Sequence, residues 1–91
     1  MNQVDNVYIE KWVKIYAVLE SSLYAISRYR NKEISWHDML RAIHSNIAEV
    51  FNKHLADEVY KEISDCSSAE TTEIIKKIQN ILVKRVFEEG A

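Results

Sequence analysis

Three groups of side chains in this chain have types and spacings that bear on chemistry. The first is acidic. Glu58, Glu62 and Asp65 recur at steps of four and three, so a helix would place them on one face. Adjacent carboxylates repel, and a hard cation such as Ca²⁺ or Mg²⁺ relieves that repulsion. Asp57 adjoins the group, while Lys61 offsets part of its charge. An EF-hand loop needs a central glycine, and the one glycine of the chain is Gly90. The expectation is a solvated acidic face, with weak divalent-cation binding as its functional alternative and no other cofactor.

The second group is basic: Arg28, Arg30 and Lys32 around Tyr29, with Arg41 further on. Arginine beside an aromatic ring can stack on bases or clamp phosphates. Cations at the end of a helix also suit its dipole, which is the plainer reading. The formal net charge of −2 and a pI near 5.9 give no global field that would draw nucleic acid. A nucleic-acid contact is therefore the minor reading. The spacing of Arg30 and His37 also resembles the R-x(4–6)-H pattern of the HEPN family of helical nucleases. That pattern is short, it straddles a helix start here, and the chain is short for the family, so no membership is read from it.

The third group holds His37, His44, His54, Cys66 and the scattered serines. His37 and His44 stand two helical turns apart, which falls short of the three or four ligands a zinc site needs. No serine lies in a glycine-flanked elbow, and one glycine excludes a phosphate-binding loop. The expectation is a protein that is not an enzyme.

All these side chains must be held by helices. There is no proline, and apolar residues recur at steps of three and four. A first helix is expected from Asn2 or Asp5 to about Arg28–Arg30, with Tyr8, Trp12, Ile15, Leu19, Leu23 and Ile26 facing a core. Ser35, followed by Asp38, should cap a second helix carrying Trp36, Met39, Leu40, Ile43, Ile47, Val50 and Phe51. Beyond Phe51 the stripe slips, because Leu55, Val59 and Ile63 step by four and drift ~40° each time. A break near Asn52–His54 gives four helices; a curved continuous helix gives three. Ser67 and Glu70 have the spacing of a capping box for the last helix, with Thr71, Ile74, Ile75, Ile78, Ile81, Leu82 and Val86 as its stripe. Gly90 suits a C-terminal stop. The fold expected is all-α, a small up-and-down antiparallel bundle in one domain over residues 1–91.

A second apolar band widens the first helix: Ile9, Val13, Tyr16 and Tyr24. Val83 and Phe87 likewise fall off the main stripe of the last helix. A bundle can use wide stripes, but apolar patches rimmed by polar residues usually mark contacts. The leading functional expectation is thus an interaction module that self-associates or docks a protein partner through these residues. No apolar run approaches the roughly 18–20 residues that span a bilayer. The N-terminus does not read as a secretory signal, and a lone cysteine fits a reducing interior, so no membrane partner and a cytoplasmic location are expected.

Overall fold

The computed structural model describes residues 3–88. It is an all-α bundle of four helices: α1 (Gln3–Arg30), α2 (Trp36–Val50), α3 (Lys53–Ile63) and α4 (Thr71–Val83), with α4 running on into a π-helical turn, Lys84–Glu88. Each helix packs on its sequence neighbours, and α4 closes the ring against α1. Cross-contacts fix the directions. Trp36 reaches Ser64 and His44 reaches Asp57, so α2 and α3 are antiparallel. Glu58 meets Arg85 and Glu62 meets Lys77, so α3 and α4 are antiparallel. Tyr8 stacks near Phe87 while Arg30 bonds the Ala69 carbonyl, so α1 and α4 are antiparallel too. The up-and-down order expected from short links is the observed one.

The break after α2 settles the helix count at four. Asn52 leaves the helical backbone, at φ −166° and ψ 166°, and its side-chain oxygen accepts from the Leu55 N–H at 2.8 Å. That cap starts α3 in a new direction and returns Leu55, Val59 and Ile63 to the core, all buried. Ser35 caps α2 in the same way, accepting from the Asp38 N–H at 3.0 Å. The Ser67–Glu70 box does not form. Residues Cys66–Ala69 close a turn through the Ala69 N–H and the Cys66 carbonyl instead, and Glu70 holds the cap position of α4 without a side-chain hydrogen bond. Asn2 and Gly90 lie outside the described residues.

The α1–α2 link closes through a pair of bonds of the Schellman type. The Glu33 N–H donates to the Arg28 carbonyl and the Lys32 N–H to the Tyr29 carbonyl, each at 2.9 Å. This geometry places Lys32 at φ 64°, a left-handed position where a side chain costs about 1 kcal/mol and glycine does not. Lys32→Gly is expected to raise stability by about 1 kcal/mol in urea unfolding; a loss of stability would count against this backbone.

The core is built from Ile15, Val18, Ala25 and Ile26 of α1, Met39, Leu40, Ile43 and Ile47 of α2, the α3 stripe, and Ile74, Ile78, Leu82 and Val86. The last four step by four residues, which drifts ~40° per step in a regular α-helix. The wider π turn, bonded i to i+5, takes back part of that drift and keeps Val86 fully buried. Trp12 and Trp36 are both partly buried against this core. On α1 the core face differs from the expected stripe. Val18, Ser22 and Ala25 turn inward, while Tyr8 and Leu23 are half exposed. Because α1 is apolar around most of its girth, the positions of α2 and α4 decide which side is covered. The Ser22 hydroxyl is buried with no hydrogen-bond partner.

Candidate interaction surface

α1 has 28 residues and is about 42 Å long; α2, with 15, covers only about half of that. The N-terminal part of α1 therefore extends past α2. The large exposed hydrophobics of the described residues all belong to α1: Val7, Tyr8, Ile9, Val13, Tyr16, Leu23 and Tyr24. Val13 is 60% exposed, Tyr16 62% and Tyr24 66%, so these are open surface and not core edges. At about 100° per residue, Ile9, Val13, Tyr16, Leu23 and Tyr24 share an arc of roughly 100°, centred about 150° from the core face. That is the outward side of the bundle.

The arc runs into an open groove of about 550 Å³ between α1 and α4, whose walls are Tyr16, Leu19 and Leu23 on one side and Thr71, Thr72 and Ile75 on the other. Glu20 and Lys76 are the charged residues at its rim. Of the residues expected at a partner surface, Ile9, Val13, Tyr16 and Tyr24 stand on this outward side. Val83 and Phe87 do not join them; both are half-buried against the core. Phe87 sits under Trp12 and Tyr8, with ring centroids 5.1 and 5.4 Å away, and the Lys11 ammonium stands 5.7 Å over its ring. Leu23 belongs to the outward side, although its spacing placed it on the core stripe. The signal that identifies it is the step of seven from Tyr16.

The other expected groups are placed differently. Arg28 stands 5.9 Å from the Tyr24 ring and 3.9 Å from Glu33. Arg30 donates to the Ala69 carbonyl and lies over Tyr29 at 5.4 Å, and Lys32 occupies the turn between. Arg41 is not with them. It lines a separate depression between α2 and α3 with His44, Ser45, Asp57 and Tyr60. There His44 Nε2 and Asp57 Oδ1 are 2.7 Å apart, and Tyr60 meets the imidazole edge-on. His37 is exposed in the first turn of α2, and the Cys66 thiol contacts the Glu62 carbonyl at 3.8 Å.

The acidic face is divided. Asp65 lies past the end of α3, so it is not on one helical face with Glu58 and Glu62. Glu58 is held by Arg85 in a forked pair, with Nε donating at 2.8 and 3.1 Å and Nη2 at 2.6 Å. Glu62 stands 3.7 Å from Lys77. Among the described residues, no three His, Cys, Asp or Glu side chains are gathered as metal ligands would be.

The fork of Arg85 holds the Glu58 carboxyl below the usual glutamate range, and the bond to His44 does the same for Asp57. A depressed folded-state pKa stabilises the fold above the ordinary value and ceases to do so as pH falls through the folded one. Stability in urea should therefore fall as the solution is acidified through and below the normal carboxylate range. Glu58→Gln should flatten that fall and cost about 1 kcal/mol at neutral pH. An unchanged pH profile in this variant would show the pair to be energetically idle.

No helix of the described residues is long and apolar enough to cross a membrane. No known family, no curated protein and no solved structure matches this chain, so its surfaces alone carry the functional argument.

Proposed function

We propose that this chain is a helical interaction module that binds rather than catalyses, and that it associates with itself through the outward side of α1. One observation supports this reading: the large exposed apolar side chains fall on a single helix and not at random over the surface. Scattered exposed hydrophobics need no explanation, whereas a contiguous strip rimmed by polar residues does. Tyrosine suits such a strip, because it buries a large area on contact and stays compatible with water when free. The groove beside Leu23 gives the strip the relief that a seated side chain needs.

Light scattering coupled to size exclusion, run over a range of concentrations, tests the proposal. A concentration-dependent rise to a closed oligomer is expected. Leu23→Glu should weaken association at least about 30-fold, the effect of losing one central anchor, while leaving the helical circular-dichroism signal unchanged. A strict monomer at millimolar concentration would overturn self-association.

A further inference from the structure

We infer that the occupant of the outward α1 side is a second copy of the same helix, running antiparallel across a two-fold axis near Val18. The inference rests on the self-association reading and adds the partner, the direction and the register. Ile9, Val13, Tyr16, Glu20, Leu23 and Ser27 follow one another at steps of four, three, four, three and four. That is the seam of a two-stranded coiled coil, nearly three heptads long. The seam is centred on the side of α1 turned away from the bundle core, and α4 borders it along the groove beside Tyr16, Glu20 and Leu23.

Charge selects the direction. Glu10 and Arg28 lie along the same flank of α1, one near each end, because 18 residues make five full turns. In a parallel pair Glu20 would face Glu20 in the seam, and the two-fold axis would put the Glu10–Arg28 flanks of the two copies on opposite sides, so neither charge would meet its complement. In an antiparallel pair Glu10 of one copy meets the Tyr24–Arg28 pair of the other, twice over. Arg28 is already posed for this, 5.9 Å over the Tyr24 ring.

The register follows from the centre of the seam. Glu20 is the one charged residue in it, and of the two seam positions flanking it Tyr16 has a phenol that can donate while Leu23 has no polar group. When opposed positions sum to 36, Tyr16 faces Glu20, Val13 faces Leu23 and Ile9 faces Ser27. The carboxylate then accepts from the partner's phenol, and the two apolar layers close on either side. Lys76, across the groove from Glu20, gives each carboxylate a nearby cation.

The test uses single-cysteine variants in a Cys66→Ser background with a short bismaleimide. Light scattering on the unmodified chain first establishes whether it associates. A mixture of Val13→Cys and Leu23→Cys should then cross-link, whereas either variant alone should not. In the antiparallel register two copies of position 13 lie about 15 Å apart along the axis. Association with cross-linking of each variant by itself would show a parallel pair and overturn the direction. Association with no cross-link in the mixture would overturn the register. Both results would leave the self-association reading standing, and a monomer would overturn both.

Discussion

Ile78→Ala is expected to cost about 3–4 kcal/mol, the largest effect of any single truncation considered for this chain. Ile78 is fully buried at the middle of α4, where that helix meets both α1 and α3. Removing three carbons there costs the transfer free energy of the lost groups and leaves a cavity that rigid neighbours cannot fill. A chain of this size holds roughly 5–10 kcal/mol in all, so the variant should lose a large part of its stability. Val13→Ala makes the control. Val13 is 60% exposed, so its truncation should change the stability of the monomer by less than about 0.5 kcal/mol. Urea unfolding of the two variants measures the contrast. Equal effects would mean that the buried side of α4 or the outward side of α1 is wrongly drawn.

The same contrast shows what the residues alone could reveal. In α2, α3 and α4 apolar and polar positions separate cleanly, and their core faces were legible from spacing: Met39, Ile43 and Ile47; Leu55, Val59 and Ile63; Ile74, Ile78 and Leu82. The slip after Phe51 signalled a change of course but left open a break or a curve; the Asn52 cap decides for the break. α1 was different. Several of its faces are apolar, so periodicity offers more than one solution. The choice was made by helices remote in sequence. Val18, Ser22 and Ala25 won the inner position, with Ser22 and Ala25 small enough to let neighbours approach. Leu23 was thereby turned out into the groove.

Caps divided along similar lines. Ser35 and Asn52 act through a bond three residues ahead, a local event that spacing can foresee. Ser67 has the same credentials, yet the chain spends residues 66–69 on a turn that carries it from the end of α3 to the start of α4. That crossing is a demand of the bundle, not of the segment. The π turn at Lys84–Glu88 has the same origin, since no residue in it favours a wide turn. The need to keep Val86 inside does.

Replacing Trp12 by alanine is expected to cost about 2–3 kcal/mol and to act locally. The indole joins three rings: Tyr8 at 6.4 Å, Tyr16 at 5.7 Å and Phe87 at 5.1 Å. Fully buried tryptophans cost about 3–5 kcal/mol on truncation, and Trp12 is only partly buried, so its cost falls at or just below the bottom of that range. Beyond the reach of α2, this cluster and the Lys11 bond to the Val86 carbonyl at 3.3 Å are what tie the outer part of α1 to the end of α4. Amide exchange should therefore speed up over residues 6–13 and 84–88, while α2 and α3 keep most of their protection. A uniform loss of protection over the whole chain would show instead that α1 unfolds only with the bundle. The local outcome has a consequence for association. Trp12 is not in the outward seam, but Ile9 and Val13 are, and they can serve only while their helical turn is formed. Trp12→Ala should then weaken self-association without removing any side chain that faces the partner.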